Sequence, residues 1–247
     1  MTLLKAALLT GLSKTSDPRR ETLRSQRVRG LKQRSEGLMQ NKLVLASGSP
    51  RRIALLGQVG IDPVAFYPAS ICETPKRYEM PRVLAHRLAR TKAEVVRGKI
   101  LDDADLADSY IMSADTVVSL GRRVFSKPAL IEEAVASLRM LSGRSHKVIT
   151  AVCLITPDDR VRIRSIETRV YFRRLSRRDI EAYIATREWF GKSGGYAIQG
   201  VAGCFVQKIV GSYSNVVGLP LVETMALMMG EGFKIHTGWA AAAELDA

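Results

Sequence analysis

The chain has 247 residues, enough to bury a hydrophobic core as one domain, and its composition of 46% hydrophobic and 25% charged residues excludes a disordered protein. No stretch has the roughly 18 unbroken apolar residues that a membrane span needs, and the opening MTLLKAALLTGL has no convincing signal-peptide cleavage site. We therefore expect a cytoplasmic protein that does not contact a membrane.

The net charge of +14 is concentrated at the start of the chain. Residues 1–42 hold ten Lys or Arg and three acidic residues, an excess of seven that is half of the total. We predict a basic, disordered leader over residues 1–41, one α/β domain over residues 42–232 and a C-terminal tail over residues 233–247. For the leader, a nucleic-acid-binding arm, a transit peptide and an over-extended translation start are the alternatives.

The three cysteines, Cys72, Cys153 and Cys204, include no close pair of the kind found in zinc or redox sites. We expect buried free thiols in a reducing cytoplasm.

The first predicted elements of the domain are a short buried strand at LVLA, residues 43–46, and a helix after it. Ser49 is predicted to cap this helix, with Pro50 at its first position. Arg51 and Arg52 then lie in the first turn, where free backbone amides already favour an anion. The pair suits a phosphate or carboxylate clamp; two arginines that face water are the alternative.

A second helix is predicted over residues 80–98, with Lys92 at the edge of its apolar face. The segment after it, SYIMSADTVV, predicts a strand that breaks at residues 114–116 before a hairpin. Asp115 would follow an apolar strand directly, where acids of α/β enzymes often hold a metal or activate water. Glu73 is a second candidate ligand for a divalent cation, which prefers carboxylate oxygens. Taken singly, a turn aspartate and a surface carboxylate are the alternatives.

The remaining pattern completes an α/β domain. It predicts a helix over 130–142, antiparallel strands over 146–156 and 162–175, a capped helix over 177–186, a strand over 203–211, a glycine-bounded loop over 211–218 and a helix from Leu219. The GKS at residues 191–193 is not a P-loop, because Thr186 stands where that motif needs glycine. The sequence has no HExxH or CxxC motif, which argues against zinc sites.

Taken in order, the segments ASGSPRR, CETP, RLARTKAE, SADTVV, SKP, LSGRSHKVITAV, GKSGGYAIQG and GSYSNVVGLPL resemble the Maf family of nucleoside triphosphate pyrophosphatases. The resemblance implies a Maf/Ham1 (ITPase)-like α/β fold, with a mixed sheet and flanking helices in two lobes around a central cleft. It also implies hydrolysis of the α–β phosphoanhydride to a nucleoside monophosphate and pyrophosphate, with Mg²⁺ or Mn²⁺. YAIQG and GSYSNVVGLPL look like the branch that acts on dTTP and UTP.

The resemblance implies roles for ten residues. Six match positions that hold the triphosphate: Ser47, Ser49, Arg51, Arg52, Lys92 and Lys127. Two match the acids of the family's motifs, Glu73 as a metal ligand and Asp115 as a metal ligand and the base that activates water. Three match positions associated with the choice of base: Arg51, Thr116 and Gln199.

Other functions stay open at this point. Flanking residues differ from the usual family pattern, including Ser126 where many members have glycine, so activity on other or modified triphosphates is an alternative within the same enzyme class. A nucleic-acid-associated regulator of cell division, acting through the basic leader, is the alternative from another class. Apart from that leader we expect no nucleic-acid partner, and a homodimer is left open.

Overall fold

A computed structural model describes residues 42–235 of the chain. The predicted leader and most of the predicted tail therefore lie outside the described residues, and the domain boundaries stay predictions. No helix in the described range has the length and apolar character to cross a membrane.

The described residues form seven strands, six α-helices and two short 3₁₀ turns. The strands are β1 Leu43–Leu45, β2 Ala65–Phe66, β3 Tyr110–Leu120, β4 Arg123–Phe125, β5 Ser145–Ile155, β6 Val161–Phe172 and β7 Val206–Val210. The α-helices are α1 Pro50–Gln58, α2 Pro81–Ile100, α3 Ile131–Leu141, α4 Arg177–Ala185, α5 Tyr213–Val217 and α6 Leu221–Gly230. Short 3₁₀ turns cover Ser193–Gly195 and Val201–Phe205.

The seven strands form one mixed sheet in the order β2-β1-β3-β5-β6-β7, with β4 paired to the far end of β3. Strand β1 pairs in parallel with β2 and β3, and every other pair is antiparallel. Alternate residues of β1 enter different cores: Val44 belongs to the cluster that contains the buried face of α2, and Leu43 to the cluster that contains buried residues of α1, α3, α4 and α6. The predicted mixed sheet with flanking helices is confirmed.

The predicted break of the chain at residues 114–116 is wrong. Strand β3 runs on through these residues and pairs with β5 without interruption, Asp115 opposite Ala151 and Thr116 opposite Thr150. The polar SADT segment has the composition of a turn, but its side chains form hydrogen bonds on both faces of the sheet: Ser113 and Asp115 with α2, and Thr116 with Arg52 of α1. Asp115 therefore lies in the middle of a strand and does not follow one.

A gap in the sheet lies beside Asp115. Strand β1 pairs with β3 only as far as Met112, and β4 pairs with β3 only from Val118 onward. Within the described residues, 113–117 consequently have a strand neighbour on the β5 side alone. The chain leaving β1 enters α1 at this gap, so the first turn of α1 is placed next to Asp115.

Most helices predicted from local sequence signals are present in the structure. The cap predicted for the helix over 177–186 is present, since Ser176 and Asp179 form a capping box at the start of α4, and Ala134, Leu138 and Leu141 of α3 are buried. Two short elements were missed, β2 and the one-turn helix α5 inside the predicted loop. The expectation of three buried thiols is wrong for two of them: Cys153 is buried, whereas Cys72 and Cys204 are exposed; all three are free.

Candidate active site

A cavity of about 640 Å³ opens at the gap in the sheet. Its lining includes all ten residues singled out from the sequence: Ser47, Ser49, Arg51, Arg52, Glu73, Lys92, Asp115, Thr116, Lys127 and Gln199. The cavity brings together segments that are far apart along the chain.

The two arginines stand in the first turn of α1, as predicted. Ser49 is the N-cap residue and Pro50 follows it, but the Ser49 side chain makes no capping hydrogen bond, so the predicted side-chain cap is wrong. The Ser49 amide instead donates to the hydroxyl of Ser47 at 3.3 Å. The turn is thus built from small residues around one hydroxyl, close to where an anion would meet the helix.

Backbone carbonyls at the end of α5 orient both guanidinium groups. Arg51 Nε donates to the Val217 carbonyl at 3.3 Å, and Arg52 Nε donates to the Gly218 carbonyl at 2.8 Å. Gly218 has φ 130°, and a Cβ there would lie 3.7 Å from Arg52 Nε. Burial lowers the pKa of both arginines below the usual 12.5, and arginine nevertheless stays charged in proteins.

A chain of hydroxyl groups provides the remaining hydrogen-bond partners of the Arg52 guanidinium group. Its Nη1 donates to Ser47 Oγ at 3.0 Å, and its Nη2 donates to Thr116 Oγ1 at 3.2 Å. Thr116 Oγ1 lies 2.9 Å from Thr150 Oγ1, which donates to the Asn215 carbonyl at 3.0 Å. Arg52, β3, β5 and α5 are therefore joined by one hydrogen-bond network.

Lys92 connects the two acids of the site. Its Nζ lies 2.5 Å from Asp115 Oδ1 and 2.6 Å from Glu73 Oε1, while Lys127 Nζ lies 2.7 Å from Glu73 Oε2. Partial burial of Glu73 opposes its ionisation, but the hydrogen bonds from Lys127 and Lys92 outweigh it and lower the Glu73 pKa to about 2. Both acids thus converge on one cationic position.

Several residues of the lining were not expected from the sequence to lie at the site, among them Phe190, Lys192 and Ser193. Lys192 is in the GKS segment, which was considered only as a P-loop. Burial, with a smaller contribution from the charge of Arg51, lowers the Lys192 pKa. Ser193 Oγ donates to the Thr116 carbonyl at 2.9 Å and fastens this segment to β3.

The charges of the lining are those of a site for a polyanion. Five cationic side chains face two carboxylates: Arg51, Arg52, Lys92, Lys127 and Lys192 against Glu73 and Asp115. Fixed cations of this kind stabilise charge that gathers on phosphate groups, and a carboxylate beside them can orient or deprotonate water. Within residues 42–235 no group of three or more His, Cys, Asp or Glu could hold a metal ion.

Comparisons with known proteins identify the family of the chain. The family model described as Maf-like protein matches residues 42–231. A dTTP/UTP pyrophosphatase of Rhodopseudomonas palustris is 60% identical over 198 residues, 80% of this chain and 96% of the relative. Proteins with the same name from Bradyrhizobium diazoefficiens and Mesorhizobium japonicum are 59% and 56% identical; the alignments cover 80% and 81% of this chain and 95% and 97% of those proteins.

A Ham1 protein from Coxiella burnetii is a structural neighbour at 17% identity and a TM-score of 0.37, over 56% of this chain and 75% of that one. The family match covers most of the chain, and the relatives match over nearly their full length. The chain belongs to the Maf-like protein family.

Proposed function

We propose that this protein is a hydrolase that cleaves the α–β phosphoanhydride of dTTP and UTP. Water attacks the α phosphorus, the bond to the bridging oxygen breaks, and pyrophosphate leaves the nucleoside monophosphate. The observation that carries the proposal is the convergence of five cationic side chains and two carboxylates on one cavity. The reaction and the two substrates follow the names of the relatives, which are 56–60% identical.

The cations have separate tasks in this reaction. Arg51 and Arg52, held by the carbonyls of Val217 and Gly218, present guanidinium groups in a fixed orientation to the phosphates. Lys127 adds a more exposed charge at the opposite side of Glu73. Because these groups are positioned before substrate binds, they can neutralise the charge of the departing pyrophosphate without reorganisation.

Asp115 is our candidate for the group that activates water. Its carboxylate is 5% exposed as a residue and is fixed at Oδ1 by Lys92, which leaves Oδ2 for a water molecule. A carboxylate so placed accepts the proton of the attacking water or orients it toward phosphorus. Lys92 in this view is both a phosphate ligand and the residue that orients the base.

A divalent metal is part of the proposal. Glu73 and Asp115 converge on one cationic position, and Mg²⁺ at phosphate sites commonly takes one or two carboxylates with phosphate oxygens completing its shell. The two acids therefore fit Mg²⁺ or Mn²⁺, which would supply additional positive charge on the phosphate oxygens.

A product assay tests the function. The full chain is incubated with Mg²⁺ or Mn²⁺ and dTTP, UTP, other common triphosphates or 7-methyl-GTP, and pyrophosphate is separated from orthophosphate. We expect pyrophosphate, with dTTP and UTP turned over fastest. Asp115→Asn should lower turnover by at least about 100-fold, while Asp62→Asn, at an exposed position outside the cavity lining, should not. Absence of pyrophosphate from every substrate would overturn the proposal.

The alternative of a nucleic-acid-associated regulator depends on residues 1–41, which lie outside the described residues. It stays a prediction, as does a cytoplasmic location, and a homodimer stays open. Deleting residues 1–41 should abolish binding to nucleic acid, which should otherwise weaken steeply with salt, and should leave pyrophosphate release intact.

A further inference from the structure

Two aromatic side chains line the cavity, Tyr196 and Phe190. Tyr196 is 6% exposed, its hydroxyl lies 2.8 Å from His146 Nε2, and its ring packs edge-on against Phe172 with centroids 4.9 Å apart. Phe190 is 63% exposed. Of the aromatic rings that line the cavity, Phe190 is therefore the one with a face free to meet a ligand.

The backbone around Phe190 is firmly held. The preceding residue, Trp189, is 5% exposed and donates from Nε1 to the Ile184 carbonyl at 3.0 Å. The Trp189 ring packs edge-on against Phe190, with centroids 5.8 Å apart. Lys192 Nζ donates to the Phe190 carbonyl at 3.2 Å. These contacts fix the backbone that carries the exposed ring at the edge of the cavity.

We propose that the nucleobase of the substrate stacks on Phe190. This inference rests on the proposed function, since it concerns the uncharged, flat end of a nucleoside triphosphate whose charged end is taken by the cations. A base has a π-face whatever its hydrogen-bonding groups, so an aromatic ring binds it through stacking. Phe190 then supplies affinity for the base, and the polar groups of the lining, such as Gln199, supply the choice among bases.

A second cavity, of about 520 Å³, is the rival location for the base. It has an apolar wall and shares five residues with the first cavity: Glu73, Asp115, Thr116, Lys127 and Ser193. That wall offers little surface to a ligand, because three of its apolar side chains are almost fully covered by protein: Leu84 is 2%, Leu88 3% and Phe125 6% exposed. The exposed face of Phe190 favours the first cavity.

The test compares ligands with and without a base. Phe190→Ala should raise KM for dTTP and for UTP alike, by about 5- to 20-fold, because stacking on one ring does not distinguish the two bases. Inhibition by inorganic tripolyphosphate, which has charge but no base, should stay within about twofold of wild type. Phe190→Trp should keep the wild-type KM. Tyr78→Ala, at an exposed ring outside the cavity lining, is the matched control.

The outcomes separate this inference from the proposed function. If wild type releases pyrophosphate and Phe190→Ala leaves KM unchanged, the stacking proposal fails alone. If Phe190→Ala weakens inhibition by tripolyphosphate by the same factor as it raises KM for dTTP, the ring acts on the phosphate end of the substrate and the proposal is overturned. If wild type shows no turnover, binding of a dTTP analogue with a methylene bridge between its α and β phosphates is measured by calorimetry; weaker binding to Phe190→Ala supports stacking, and equal binding overturns it.

Discussion

Lys92 Nζ and Asp115 Oδ1 lie 2.5 Å apart in an ion pair whose side chains are 9% and 7% exposed. Lys92 belongs to α2 and Asp115 to β3, so the pair joins the helix to the sheet at the cavity. Removing one partner of a buried pair leaves the other charge desolvated and uncompensated, which is strongly destabilising. The contact should therefore affect both stability and activity.

Lys92→Met tests this coupling. We expect the free energy of unfolding to fall by about 3–5 kcal/mol, measured by urea unfolding at pH 7, and dTTP turnover to fall by at least about 100-fold. Adding Asp115→Asn to Lys92→Met should recover part of the stability, because no buried charge is then left alone, but should recover no turnover.

Arg90→Met is the matched control for that prediction. Arg90 lies on the same helix and pairs with Glu94 at 2.7 Å, but the two side chains are 53% and 46% exposed. Exposed pairs contribute little, so the free energy of unfolding should change by less than about 1 kcal/mol. Equal losses in Lys92→Met and Arg90→Met would contradict a special role for the buried pair.

The burial of His146 predicts how the stability of the protein depends on pH. This side chain is 2% exposed, and its burial lowers the pKa from 6.5 to about 4. Between these two pH values the unfolded chain binds a proton that folded His146 does not, so the free energy of unfolding should decrease as the pH falls from 6.5 to 4. The lowering of the His146 pKa from 6.5 to about 4 corresponds to a loss of about 3 kcal/mol in the free energy of unfolding over this window.

Urea unfolding at several pH values between 4 and 7 measures this effect. His146→Gln cannot take up the proton, so its stability should decrease less steeply than that of wild type across the window. The exposed His86 offers a comparison, and the pH profile of His86→Gln should parallel wild type. Parallel profiles for wild type and His146→Gln would show that burial of this imidazole has no linkage to folding.

Local signals explain which parts of the structure could be predicted from the sequence. Pro50 at a helix start and the capping box of Ser176 and Asp179 depend on residues a few positions apart, and both helices begin there. The place of Arg51 and Arg52 in a first turn follows from the same rules. Motifs spread along the chain then marked the residues that the fold brings to one cavity.

Long-range pairing explains what the sequence could not predict. Nothing near Asp115 signals that β5 continues the ladder through the SADT segment, and nothing near Arg52 signals an acceptor at Gly218, 166 residues away. Phe190 was missed because an exposed aromatic residue has no signature in a single sequence. These features depend on which distant segments the fold places side by side.

Asn215 should couple the fold to the arginine clamp. The residue is fully buried, and its Nδ2 donates to the Val148 carbonyl at 3.1 Å and to Thr168 Oγ1 at 2.9 Å. Asn215→Ala removes both bonds from buried acceptors, which should lower the free energy of unfolding by about 1–3 kcal/mol. Because Gly218, whose carbonyl orients Arg52, directly follows α5, KM for dTTP should rise as well. Unfolding and steady-state assays measure the two effects.

Val222→Ala provides the comparison for Asn215→Ala. Val222 is on α6 and is 76% exposed, so its truncation should change neither stability nor KM appreciably. If Asn215→Ala lowers stability while KM stays at the wild-type value, then α5 does not transmit its position to Arg52, and that part of the prediction is wrong.

Thr116 has two candidate tasks that one substitution can separate. Its Oγ1 accepts a hydrogen bond from Arg52 Nη2 at 3.2 Å, yet its position also matches those associated with the choice of base. Thr116→Val keeps the shape and removes the acceptor. A hydrogen bond from a charged donor is worth about 1.5–3 kcal/mol, so we expect KM for dTTP to rise by at least about 10-fold.

The pattern of losses across ligands identifies the task. If Thr116 acts by orienting Arg52, Thr116→Val should weaken the binding of dTTP, UTP, CTP and inorganic tripolyphosphate by the same factor. All four ligands present phosphates to that guanidinium group. If Thr116 reads the base, tripolyphosphate inhibition should be unchanged and the preference for dTTP and UTP over CTP should shift. Thr116→Ser, which keeps the hydroxyl, should behave as wild type. The contact with Arg52 leads us to expect equal losses, and a selective loss would contradict this prediction.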